Sequence, residues 1–217
     1  MRRLQGRALQ GGLTSRGPVR NHILFLAPIF LAVSVTPGRA DLASGKRAYE
    51  QGNYAAALKE LRPLADHGNA DAQVLLGLMY NQGRGVPLDL SQAEKWYKAS
   101  AHQGNAQAEC QLGSMYLKKD PAPGLKLLKL SAEQGFADCY LILGLAYMNM
   151  DTKDAPRDLV QADMWLSLAI AHNDPLGPSQ RARCERHMTR DQILKARAMA
   201  TAWKPKTNSG PGENSQK

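Results

Sequence analysis

Residues 69–104 run Asn69-Ala-Asp-Ala-Gln-Val-Leu-Leu-Gly-Leu-Met-Tyr80, then Asn81-Gln-Gly-Arg-Gly-Val-Pro87, then Leu88-Asp-Leu-Ser-Gln-Ala-Glu-Lys-Trp-Tyr-Lys-Ala-Ser-Ala-His-Gln-Gly104. They read as helix, turn, helix. Gly83, Gly85 and Pro87 end the first helix and turn the chain. Asp89 with Gln92 offers a cap and a third-position partner for the start of the second. A two-helix unit cannot bury its apolar face alone, so a chain that repeats the unit stacks the copies.

The unit recurs in register. Gly77, Gly113 and Gly144 are spaced by 36 and 31, and Tyr80, Tyr116 and Tyr147 keep the same spacings, as do Gly68, Gly104 and Gly135. Pro87, Asp89, Ala93 and Trp96 reappear 69 residues later as Pro156, Asp158, Ala162 and Trp165. The register predicts three units, residues 69–104, 105–135 and 136–173. A glycine inside a helix costs ~1 kcal/mol relative to alanine. Its recurrence predicts a crossing where a neighbouring backbone leaves no room for a Cβ. Ala93, Ala162 and Gly124 are expected to serve the facing helix in the same way. Trp96, Trp165, Leu127 and the tyrosines are expected to fill the volume between helices.

The flanks differ in character. Residues 1–40 carry six arginines and no acid; setting them aside lowers the net charge from +9 to +3, which is no electrostatic footprint for nucleic acid. An apolar run of thirteen residues, 23–35, precedes Thr36-Pro-Gly-Arg-Ala40, with small residues at −3 and −1 of a cut after Ala40. This layout predicts a signal peptide over residues 1–40 and Asp41 as the mature N-terminus, hence a periplasmic or secreted protein. Residues 174–204 read as capping helices, one opened by Gly177-Pro178-Ser179. The other runs from Arg190 to about Trp203 after the capping box Thr189-Arg-Asp-Gln192, with Ile193, Leu194, Ala198 and Ala202 inward. Residues 205–217 read as a disordered tail.

The motifs Ala70-Asp-Ala-Gln-Val-Leu-Leu-Gly-Leu-Met-Tyr80, Gly83-Arg-Gly-Val-Pro87, Ala93-Glu-Lys-Trp-Tyr97 and Ala101-His-Gln-Gly-Asn-Ala106 resemble the Sel-one-like repeat family, related to the tetratricopeptide repeats. The second unit departs most, with its turn cut to residues 117–121 and Leu127 in place of the aromatic. Residues 41–68 resemble a tetratricopeptide opening unit through Gly45, Gly52, Tyr54, Ala57, Leu61 and Leu64, with Pro63 expected to kink its second helix. The resemblance implies an all-α, right-handed α-solenoid that serves as a scaffold or adaptor between proteins. It also brings a rival, a weak β-lactam or cell-wall hydrolase as in cysteine-rich relatives. Those relatives carry a cysteine pair in each repeat, which this chain lacks.

No residue pattern points to catalysis, a cofactor or a metal. Cys110, Cys139 and Cys184 form no Cys-x-x-Cys motif, and Cys110 and Cys139 fall two positions out of register, which disfavours a bridge. His67, His102 and His172 precede the unit-closing positions, too far apart to converge on an ion. No Gly-x-Ser-x-Gly elbow is present, and Gly83-x-Gly85 lacks the flanks of a phosphate loop. The partner is therefore expected to be another protein or peptide, with the membrane met only through the signal segment. Register from the mid-helix glycine places a binding groove on the first helices: Tyr49, then Leu78, Asn81 and Gln82, then Ser114, Leu117 and Lys118, then Leu145, Met148 and Asn149. Amide, apolar and basic groups in that mixture suit a peptide or helix ligand.

Overall fold

Mid-helix glycines, caps and small residues in one register do produce stacked helix pairs. The computed structural model describes residues 40–150 and 157–206. The leader up to Arg39, the turn 151–156 with Pro156, and residues 207–217 lie outside the described residues. Ten helices and no strand are found among those described: α1 (Leu42–Glu50), α2 (Tyr54–Asp66), α3 (Ala70–Gln82), α4 (Leu90–Ala101), α5 (Ala106–Tyr116), α6 (Pro121–Glu133), α7 (Asp138–Asn149), α8 (Leu159–Ala171), α9 (Gly177–Glu185) and α10 (Arg190–Ala202). The pairs α1/α2, α3/α4, α5/α6 and α7/α8 each pack face to face, and each second helix packs on the first helix of the next unit. Helices α9 and α10 close the stack against α8. The architecture is an all-α, right-handed solenoid.

The helix starts follow from the sequence. Asn53, Asn69 and Asn105 accept backbone N–H bonds at the starts of α2, α3 and α5, and Asp89 and Asp158 do so for α4 and α8. Thr189 and Gln192 form both halves of a capping box. Gly83 ends α3 in the left-handed region, at φ 64°. Pro63 sits in the last turn of α2, which continues to Asp66.

The recurring glycines mark close approach, but what fills the space differs from expectation. A Cβ on Gly113 would lie 3.0 Å from the Gly124 carbonyl oxygen, the backbone contact foreseen. At Gly77 the obstruction is the Tyr97 ring, and at Gly45 and Gly144 it is first the side chains of Leu61 and Leu166. Each of Leu61, Tyr97, Leu128 and Leu166 stands four residues after the small residue of its second helix, and each is fully buried. The glycine is thus a socket for one large side chain, more often than a seat for a backbone. Trp96 and Trp165 are buried as expected.

Two more contacts recur within each of the first two units. The Ser100 hydroxyl donates to the Ala70 carbonyl at 2.8 Å, and Ser131 donates to Ala106 at 2.7 Å. The Gln103 amide donates to Gln73 Oε1 at 2.8 Å, and Gln134 donates to Glu109 Oε2 at 2.7 Å. In the third unit the matching positions hold Ala169, Tyr140 and His172, and the last two pack ring edge to ring face at 5.3 Å. Trp203 joins them, 5.4 Å from Tyr140 and 5.6 Å from Trp165.

The closing segment departs from its sequence reading in two ways. Ala196 is the buried residue of α10, with Ile193, Met199 and Ala200 half-buried, whereas Leu194, Ala198 and Ala202 face solvent. The inward stripe follows the spacing 193, 196, 200, 203, ending on Trp203. Pro205 and Lys206, assigned above to a disordered tail, turn back onto α6. Lys206 N donates to the Glu133 carbonyl, its ammonium pairs with the Glu133 carboxylate at 2.9 Å, and Pro205 faces Gly135.

Candidate functional site

Seven of the ten groove positions fall into three clusters. At the N-terminal end the Tyr49 hydroxyl, from the end of α1, donates to Gln82 Oε1 at 3.2 Å. Arg84, in the turn after α3, donates to the same hydroxyl at 3.5 Å and lies over the rings of Tyr49 and Tyr54. The sequence reading assigned Arg84 to the turn alone. Two tyrosines five residues apart, ahead of an arginine-bearing turn, were the available signal.

In the middle, Asn81, Ser114 and Lys118 come together around an open hollow of about 330 Å³ with Leu90, Gln111 and Met115. Leu90 is 52% exposed and nearby Leu88 is 66% exposed, so an apolar rim flanks polar walls. At the C-terminal end, Met148 and Asn149 line a hollow of about 350 Å³ with Arg157, Arg183 and His187. Asn149 is held at both ends of its amide: it donates to the Leu145 carbonyl at 2.8 Å and accepts from Arg183 at 3.0 Å.

Four positions serve the core more than the surface. Leu78 packs against two core clusters at once, sealing the seam between neighbouring units. Leu117 and Leu145 pack against the third cluster, and Met148 is only 5% exposed. The inner face of a first helix is also where successive first helices meet, so apolar residues there are drawn into the joint. What the face leaves to solvent is Gln82, Lys118 and Asn149, with Tyr49, Asn81 and Ser114 half-buried.

A row of cations on the second helices meets the recurring tyrosines across each joint. Arg62 donates to the Tyr80 hydroxyl at 3.1 Å, Lys98 lies 5.8 Å from the Tyr116 ring centre, and Lys129 lies 5.3 Å from that of Tyr147. Arg62, Lys98 and Lys129 each follow the small residue of their helix by five. Tyr116 also donates to Glu94, which pairs with Lys98. The Lys98 hydrogen bond, with that of Tyr116, holds the Glu94 carboxyl below its ordinary range against the opposing effect of burial. Glu94 and Lys98 are an i,i+4 pair on α4 that, with Tyr116, forms a catch for the next repeat.

Among the described residues no group of three or more His, Cys, Asp or Glu side chains is placed to hold a metal ion. None of the described helices is long and apolar enough to cross a membrane. His67, His102 and His172 sit at the C-terminal caps of α2, α4 and α8, and His67 meets the Pro63 carbonyl at 2.6 Å.

Comparison with known proteins meets the same units. The Sel1 repeat matches residues 70–105, 106–136 and 137–174. A sel1-like repeat-containing protein of Acanthamoeba polyphaga mimivirus is 38% identical over 109 residues, which is 45% of this chain and 20% of that one. An uncharacterized protein of Neisseria meningitidis serogroup B is 31% identical over 132 residues, 58% of this chain and 26% of that one. The chain thus spans about a quarter or less of the length of these relatives. The crystal structure of a Sel1 repeat protein from Oxalobacter formigenes superposes with a TM-score of 0.59 at 23% identity, covering 74% of this chain and 69% of that one, a likeness of fold. With three consecutive matches, each carrying its glycine socket, the chain is a member of the Sel1 repeat family.

Proposed function

We propose that this chain is an exported, non-enzymatic adaptor that binds an envelope or regulatory protein along the first-helix face. Sel1 repeat proteins generally mediate protein–protein interaction. The observation that carries the reading is the middle hollow, where Asn81, Ser114 and Lys118 from two repeats surround one space beside exposed Leu88 and Leu90. Uncommitted amide, hydroxyl and ammonium groups next to an apolar rim match what a peptide backbone and its side chains offer. Export has separate support: Asp41 N lies 3.1 Å from Glu60 Oε2, so an α-amino group released by cleavage after Ala40 would meet a carboxylate.

Site-specific photo-crosslinking tests the groove. A crosslinker at position 118 is expected to capture a partner that one at exposed Lys126, on the second-helix side, does not. The capture should disappear in the Asn81→Ala, Gln82→Ala double variant. A partner held equally from both positions would remove the groove. Mass spectrometry of the chain from the producing cell should find Asp41 at the N-terminus; an intact leader on cytosolic chain would remove the export reading.

A further inference from the structure

The joint between α6 and α7 is thinner than the equivalent joints α2/α3 and α4/α5. Helix α7 also starts from Ala137 without a side-chain cap, where Asn69 and Asn105 cap α3 and α5. Two thiols lie at this weak place. Cys110 of α5 and Cys139 of α7 belong to one buried cluster with Leu128 and Ala132, at 1% and 0% exposure. Cys139 Sγ donates to the Leu128 carbonyl at 3.6 Å. One turn further along α6, Ser131 donates to the carbonyl of Ala106, which lies one turn before Cys110. Both thiols therefore converge on a single turn of α6, where both are free and buried. Register had argued against this pairing. A bridge needs side chains that meet across a joint, and equal register is not required for that.

We infer that Cys110 and Cys139 close to a disulfide that staples the second repeat to the third. The oxidant is a disulfide, either small-molecule or on a protein. One cysteine thiolate attacks a donor sulfur, the donor S–S bond breaks, and a mixed disulfide forms. The second thiolate then displaces the donor, forming the Cys110–Cys139 bond; the donor leaves as two thiolates carrying the electron pair, which take up the two protons the cysteines gave up and become thiols, with no net proton release. In the folded reduced chain, contact with Cys139 and then burial push the Cys110 thiol up, so it stays protonated and unreactive. The bond is made while the joint is still open during folding and is afterwards shielded from reductant. Cys184 remains a single thiol, donating to the Leu159 carbonyl in the cap.

Oxidative refolding of the full chain tests this. The chain is refolded from denaturant in mixed oxidised and reduced glutathione, alkylated in denaturant, and read by intact mass and peptide mapping. One alkylated cysteine, Cys184, and a linked Cys110–Cys139 peptide pair are expected. The melting temperature should rise by roughly 5 °C over the reduced chain. That rise should vanish in Cys110→Ser and Cys139→Ser and persist in Cys184→Ser. Three alkylated cysteines after oxidative refolding, or a link involving Cys184, overturns the proposal whatever the variants do. Equally fast oxidation of the already folded chain overturns the order of events. Because the oxidant is supplied in the tube, the result is independent of where the chain resides in the cell.

Discussion

The first two repeats and the third fill the same positions with opposite chemistry. Four residues before the socket glycine stand Gln73, Glu109 and Tyr140; ten after the small residue of the second helix stand Gln103, Gln134 and His172. The first two pairs are side-chain hydrogen bonds, and the third is a ring contact. One residue after the small residue, Glu94 is caught by Lys98 and Tyr116, whereas Asp163 is fully buried with no protein partner for either carboxylate oxygen. The geometry is held by sockets and large side chains, and the pairs around them vary as long as the two members match. The polar pairs tie together the two helices of one unit; the aromatic set lets Trp203 finish the stack.

The largest expected effect tests whether sockets are equal. Gly113→Val should cost ~3 kcal/mol or more, because its Cβ meets the Gly124 backbone as well as Leu128. Gly113→Ala should also lower the melting temperature more than Gly45→Ala, since the Leu61 side chain can shift more readily than a helix backbone. Equal losses would abolish the distinction between a backbone-lined and a side-chain-lined socket.

Trp203→Ala comes next, at about 2 kcal/mol, by removing the edge contacts to Tyr140 and Trp165. Amide hydrogen exchange should show the loss concentrated in α8 and α10, with α3 and α4 unchanged. Uniform deprotection would mean that the aromatic end is no separate unit of stability.

Asp163 gives a pH signature opposite to that of Glu94. Burial, with Glu185 adding and Arg181 and Arg197 opposing, pushes its carboxyl from 3.8 up to about 6. The folded chain then holds this proton more tightly than the unfolded one. The stabilisation is complete below about pH 4 and is lost as pH rises through about 6. Asp163→Asn should therefore raise stability at pH 7.5 by ~1–2 kcal/mol and change it little at pH 4. Chemical denaturation at the two pH values reads the difference; an equal effect at both would show that the carboxylate is relieved by other means. The smallest effect is Ser131→Ala, at ~1 kcal/mol from the lost bond to Ala106. Since Ala169 occupies that position in the third repeat, a neutral outcome would mean the polar bond is interchangeable there too.

Most of the fold was legible because stacking repeats a short steric rule. Gly77, Gly113, Gly144, the aspartate caps and the buried tryptophans all follow from spacing, whereas the asparagine caps came only with the structure. The residue inside each socket was not legible, because Tyr97 stands where the other units have Leu61, Leu128 and Leu166, and what they share is bulk. The candidate face was read only in part. Asn81, Ser114 and Lys118 do meet, but Leu78 and Met148 were taken for surface since one helix face carries both the joint and the exposed wall. Long-range matches such as Tyr116 with Glu94, or Cys110 with Cys139, depend on the rise between units, which sequence spacing does not encode.

The return of Lys206 to Glu133 joins residues 73 apart in sequence. A solenoid held only by neighbours can unzip one helix pair at a time from either end. Here the last described residues clasp a helix two pairs inward, so the terminal helices cannot peel away before that clasp opens. The two ends of the molecule are therefore unequal in kinetics: unravelling should begin at α1, and a chain cut after Trp203 should lose that bias.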